Sequence, residues 1–257
     1  MAVDTNTRFS NAIQGVPQVG ATANIFQMDA TPRFAVGTRL ERQDGNEYVY
    51  SHFGTDVGPG KMVAQDITES STPAIVMEVP SAAVNTSDGT IGSKFIECTN
   101  AAITADMFAG GYLSIEDDTG EGYTYRIKGN TATGNPGTSN YRIELYDKLQ
   151  VAIVAATTGN IVGCLYSNLE VATATDTFAA GVSVSNVDFS EKPFAWVQTA
   201  GVATNLTTGT AVLGSGNILT AAGALAPAVE SDILERVAVT LIVGATGEHS
   251  AYKLTLK

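Results

Sequence analysis

The feature that most limits what this chain can fold into is the length of its apolar runs. They are strand-sized, roughly four to eight residues, and tend to alternate with polar residues; turn-forming residues break them before a helix-length pattern can develop. The breaks fall at Asp44-Gly45-Asn46, Thr119-Gly120, Asn135-Pro136-Gly137 and Gly214-Ser215-Gly216. Composition points the same way. Apolar residues make up 44% of the chain but charged residues only 16%, so surface polarity has to come from Thr, Ser, Asn and Gly. Those residues suit turns and the solvent faces of strands, whereas helix surfaces use Glu, Lys and Arg. The expectation is an all-β chain of antiparallel sandwich or barrel modules preceded by an extended N-terminal arm.

Three segments are predicted. Residues 1–33 show neither a two-residue nor a 3.6-residue apolar period, contain Pro17 and Pro32, and read as an extended arm held by a partner. Residues 34–189 read as a β-domain opening with a hairpin, Phe34–Leu40 and Glu47–Tyr50 around the Asp-Gly turn. Further strands are expected at Lys61–Asp66, Ala74–Val79, Ile91–Cys98, Gly111–Ile115, Gly122–Ile127, Tyr141–Tyr146, Val151–Ala155 and Ile161–Leu165. One short helix is expected at Thr104–Ala109, capped by Thr104 and ended by Gly110 or Gly111. Residues 190–257 read as a small terminal β-unit with strands at Phe194–Thr199, Val202–Thr204, Thr210–Leu213, Asn217–Thr220, Val237–Val243 and Ala251–Leu256, and an Ala-rich linker around Pro227.

The balance of 26 acids against 14 bases gives a net charge of −12, which repels phosphate backbones and argues against a nucleic-acid partner. The start lacks a basic segment followed by an apolar run, and no apolar stretch approaches the length of a membrane span. The expectation is a soluble protein made in the cytoplasm, with Cys98 and Cys164 as buried thiols rather than a disulfide.

Segments that resemble catalytic motifs fail on chemistry. Gly54–Met62 superficially matches a phosphate-binding loop, but Thr55 stands where the first glycine belongs and Met62 where a magnesium-holding hydroxyl belongs. Asp118-Thr119-Gly120 matches the tripeptide of aspartic proteases, yet Glu116, Asp117 and Glu121 crowd around it as in a solvated turn; a glycosidase pair or incidental calcium binding are the other readings, but neither a second acid cluster nor a dedicated oxygen-ligand loop is evident. His52 and His249 have no carboxylate or cysteine at ligand spacing, and no Gly-x-Ser-x-Gly elbow accompanies either. Both read as surface or edge residues. Trp196 lies in the alternating run Phe194–Gln198 and is expected in the core or at an interface, not as a sugar platform. No catalytic residue, cofactor or metal site is expected, and the protein reads as a non-enzyme. The candidate interface residues are Phe9, Ile13, Val16, Ile25 and Phe26 of the arm, together with Trp196.

Three stretches resemble a group of tailed-bacteriophage virion proteins of the head decoration or cement type. The first is Phe34–Thr38 with Glu47–Tyr50 and Met62–Gln65. The second is Phe108–Leu113 with Gly120–Ile127 and Leu145–Asp147. The third is Phe194–Thr199 with Val237–Val243. The resemblance implies a structural subunit on the capsid surface, bound to the major capsid protein and to copies of itself as a homotrimer, with no nucleic-acid or membrane partner. It leaves open a head fibre or tail protein, or a carbohydrate-binding module on the particle.

Overall fold

The structure, a computed structural model, describes residues 7–8, 24–65, 71–78, 87–99, 103–135, 140–154, 157–173, 179–210, 212–228, 237–254 and 256. The described residues are almost wholly β, in antiparallel sheets, as the strand-length runs predict. The chain forms two compact units, but not at the expected boundaries. Unit 1 joins residues 1–66 to 166–257, and unit 2 is the intervening 67–165. The expected breaks near 33 and 189 therefore both fall inside unit 1.

Unit 1 contains β1 (Thr7–Arg8), β2 (Arg39–Arg42), β3 (Glu47–His52) and β4 (Met62–Gln65). Unit 2 contains β5 (Ser71–Glu78), β6 (Phe95–Thr99), β7 (Tyr112–Asp117), β8 (Thr124–Asn130), β9 (Asn140–Leu145) and β10 (Thr158–Val162). Unit 1 then resumes with β11 (Leu169–Val171), β12 (Ala179–Ser183), β13 (Phe194–Leu206), β14 (Gly216–Leu219), β15 (Leu225–Pro227), β16 (Ala238–Thr240) and β17 (His249–Leu254).

Unit 1 is a branched sheet in the order β1-β2-β3-β13-β17-β16-β14-β15, with β12 bridging β13 to β4 and β4 pairing β11. The Asp-Gly hairpin joins β2 to β3, with Glu41 opposite Glu47. The first half of β13 lies against β3 and its second half against β17. Side chains alternate across that first half: Ala195 and Val197 pack with Phe53, Val63 and Leu169 on one face, while Trp196 packs with Leu40, Tyr48 and Tyr50 on the other. A strand covered on both faces reads as a continuous apolar run rather than an alternating one, which accounts for Phe194–Val197.

Unit 2 is a closed six-stranded antiparallel barrel, β10-β5-β6-β9-β8-β7. Leu113 and Ile115 of β7, Tyr125 and Ile127 of β8, Tyr141, Ile143 and Leu145 of β9, and Ile161 of β10 point inward and, with Ile96 and Cys98, fill it. A barrel this narrow is packed by side chains rather than hollow. Arg142 stacks on Phe95 at 3.8 Å and clamps the buried Asp88 through two charge-assisted bonds of 2.6 and 2.7 Å, fixing the loop ahead of β6.

Several local expectations are corrected. The helix at Thr104–Ala109 is a pair of turns, because Asp106 adopts a left-handed φ of 58° that no α-helix tolerates. Asn130 serves the turn instead, accepting from the Phe108 N–H at 2.9 Å and donating to the Thr104 carbonyl at 2.8 Å. The two expected strands Phe194–Thr199 and Val202–Thr204 are one thirteen-residue strand. Residues 151–154 and the described part of 210–213 are not strands, and the expected Val237–Val243 strand is only Ala238–Thr240. Pro227 ends β15 rather than marking a linker, and β11 and β12 were not expected.

Candidate functional site

Of the expected arm, residues 24–33 are not free. Asn24 forms an Asx turn, its side chain accepting from the Phe26 N–H at 3.0 Å and its carbonyl from the Gln27 N–H at 3.0 Å. The turn sends Ile25 into the aromatic core of unit 1 and leaves Phe26 63% exposed. Asp29 then exchanges backbone hydrogen bonds with Phe194 at 2.8 and 3.2 Å. Its carboxylate accepts from the Tyr50 hydroxyl at 2.8 Å, from Gln27 Nε2 at 3.0 Å, and meets the Arg33 guanidinium at 3.3 Å. The Tyr50 oxygen also accepts from the Arg33 N–H at 3.2 Å. Burial pushes this phenol well above its ordinary range, so it remains a donor at any working pH.

Beneath this knot lies an aromatic cluster. Tyr50 meets Phe34 and Trp196 edge to face, both with ring centroids at 5.2 Å, and Phe34 lies 5.5 Å from Trp196. Such pairs add stability beyond their area burial. Of the six expected interface residues, Trp196 and Ile25 are therefore core residues of their own unit, because the aromatic faces that would anchor a partner are already covered. Phe26 is displayed at the surface. Phe9, Ile13 and Val16 lie outside the described residues.

A second surface of unit 1 was not foreseen. The turn Val212–Ser215 is tied to the end of β16 by Gly214 N–H to the Thr240 carbonyl at 2.9 Å and Thr240 N–H to the Ser215 carbonyl at 3.0 Å. This brings the exposed Val212 and Leu213 beside the exposed Leu241, Ile242 and Val243. The sequence reads as strands at Thr210–Leu213 and through Val243, which does not distinguish these side chains from those of any other strand. The regular strand ends at Thr240, the Leu241 and Ile242 N–H groups both turn to the Ala251 carbonyl at 2.9 and 3.1 Å, and the side chains remain in water.

The suspected chemical motifs occupy structural positions. Residues 54–61 form a loop whose backbone pairs with β12 and its neighbours, through Val57 with Val187 and the Gly60 N–H with the Ser183 carbonyl. Asp117, Asp118 and Glu121 sit exposed at the β7–β8 turn, where the Asp118 N–H donates to Asp117 at 2.8 Å. Glu116 accepts from the Asn160 amide. His52 is half-buried at the end of β3, its ring 4.9 Å from Phe194, and His249 is exposed at the start of β17. Cys98 and Cys164 are buried thiols that are not joined in a disulfide, and burial pushes the Cys98 thiol up to about 12. Among the described residues no group of three His, Cys, Asp or Glu side chains is placed to hold a metal ion, and no helix is long and apolar enough to cross a membrane. No family model, curated protein or solved structure matches the chain.

Proposed function

We propose that this protein is a structural subunit of a tailed-phage particle, a decoration or cement protein that binds the assembled lattice of major capsid protein and, as a homotrimer, its own copies. The observation that carries the reading is the aliphatic surface of Val212, Leu213, Leu241, Ile242 and Val243 on a chain of net charge −12. An exposed apolar patch of this kind is costly in water and marks a place of contact with another macromolecule. Phe26, lifted by the Asx turn, offers a second anchor on the same unit.

The resemblance supplies the kind of partner, and the three stretches that carry it include packed strands: β3 and β4; the start of β7, most of β8 and the end of β9; and the first half of β13 with β16. They are packing elements, and the role that follows is one of binding and bracing without a reaction. The acidic balance favours an outward position away from packaged DNA. A subunit that binds only the assembled shell stabilises that shell by mass action, and many copies sum to a large effect.

The test compares particles with and without the protein, heated or osmotically shocked while DNA release is followed. Earlier release from the particles that lack it supports the reading. Equal release curves, or a particle map that places the chain on the tail, overturn it.

A further inference from the structure

Strand register sets a row of side chains on the outer wall of the barrel. Val162 of β10 is the partner of Tyr112 in β7, and Tyr112 is the partner of Arg126 in β8. Tyr146 follows Leu145, the partner of Ile127, and its N–H donates to the Arg126 carbonyl at 3.0 Å, which places it opposite Arg126. Directly opposed residues share a face, and their chain neighbours Ile161, Leu113, Ile127 and Leu145 fill the interior. The row therefore points outward.

Its composition is unlike an ordinary solvent face. Val162, Tyr112 and Tyr146 are 44%, 49% and 43% exposed. The Arg126 guanidinium carbon lies 5.0 Å from the centre of the Tyr146 ring, its Nε is sealed from water without an acceptor, and it forms no ion pair with a described carboxylate. Lys94 closes one end of the row, its ammonium donating to the Tyr146 carbonyl at 2.6 Å. Tyrosine and arginine are the side chains that most often dominate binding at protein interfaces. On a chain of net charge −12, a row with two cations and no acid is where another acidic surface is drawn in rather than repelled.

The same unit carries such a surface. Glu116, Asp117, Asp118 and Glu121 are all exposed at the β7–β8 turn. Tyr112 begins β7 and Asp117 ends it, so row and turn are separate patches about 17 Å apart along an extended strand. A contact between them joins different surfaces of two copies and is heterologous, so it repeats from copy to copy, ending in a ring where the rotation closes and in an open filament where it does not.

We propose that copies of this protein associate head to tail through unit 2, the acidic β7–β8 turn of one copy seating on the Val162–Tyr112–Arg126–Tyr146 row of the next. The Asp117 or Asp118 carboxylate pairs with the Arg126 guanidinium, and the two tyrosine rings shield that ion pair from water. The proposal concerns the purified protein and does not depend on which particle it belongs to.

Sedimentation velocity of the full chain at rising concentration tests it, in about 0.05 M and about 0.5 M salt. Association is expected, weaker at the higher salt. Arg126→Glu, Tyr146→Ser, and the pair Asp117→Lys with Asp118→Lys should each weaken it by at least about tenfold, with circular dichroism reporting an intact β fold. Arg126→Glu combined with both lysine substitutions in one chain should regain most of the loss. A wild-type chain that stays monomeric, folded variants that associate as well as wild type, or a combined variant no stronger than its parents would overturn the proposal.

Discussion

Tyr50 makes three interactions at once: its ring packs on Phe34 and Trp196, its hydroxyl donates to Asp29, and the same oxygen accepts from the Arg33 N–H. Tyr50→Phe keeps the packing and leaves Asp29 and the Arg33 N–H each short of a partner. It should cost about 1–3 kcal/mol, read as a lower urea midpoint with an unchanged slope, and should speed proteolysis within residues 24–33. His52 gives a pH signature. Burial holds its imidazole below the ordinary 6.5, so the unfolded chain takes up the proton first. The stability this contributes is complete above pH 6.5 and is lost as pH falls from there through the lower folded value. Melting temperature should decline across that window in the wild type and stay flatter in His52→Asn. The pairing of Tyr50 with Asp29 was not legible in the sequence because the two are joined only by folding. For the same reason the sequence does not show which Thr, Ser and Asn residues are exceptions to the surface role expected of them. The buried Thr207 hydroxyl bonds Ser250 at 2.8 Å and Tyr252 at 2.7 Å, both also buried, and Asn217 is buried against Thr240 at 2.8 Å.

Among the elements, β13 shows how one strand can serve two partners. Its register against β3 slips between Gln198 and Ala200, and Gly201 follows at φ 89°. The Asn46 side chain fills that break, accepting from the Val202 N–H at 2.9 Å and from Gln198 Nε2 at 3.3 Å. A Cβ on Gly201 would run into the Asn46 side chain and come within 2.9 Å of its Cα, in a backbone conformation that already disfavours one. Gly201→Ala should cost about 2–4 kcal/mol by thermal or urea unfolding. Gly247→Ala has a similar φ of 87° but open space around it, and should cost only about 1 kcal/mol. The sequence itself reads as two strands split at Gly201, because a glycine between apolar runs signals a turn as well as a bulge. β11, Leu169–Val171, and β15, Leu225–Pro227, are three residues each, too short to show a period. The Thr104–Ala109 helix was expected from its caps, with nothing in the pattern to reveal Asp106 turning left-handed.

For the whole molecule, the division into units escaped the sequence because unit 2 interrupts unit 1 without a composition change at either junction. The all-β class was legible throughout, since it depends only on strand-length runs and turn residues. Gln65 at the end of β4 is the partner of Leu169 in β11, so the chain leaves unit 1 and re-enters it at neighbouring positions. Residues 67–165 expressed alone should unfold cooperatively as a barrel, and unit 1 with that span replaced by a short Gly-Ser turn should retain its β circular dichroism. Loss of structure in both fragments would contradict the division. The barrel has the same property at its own ends, where Ser71 of β5 is the partner of Val162 in β10. Pairing β4 with β11 directly from the unfolded chain means closing a loop of about a hundred residues, but once the barrel has formed the two chain ends it joins are already held together and the loop left to close is short. The connectivity therefore predicts an order of folding in which the inserted unit forms first and its closure brings the two halves of the surrounding one within reach. A substitution that slows barrel formation should slow the appearance of both units in refolding, whereas one confined to β14–β17 should delay only the outer unit.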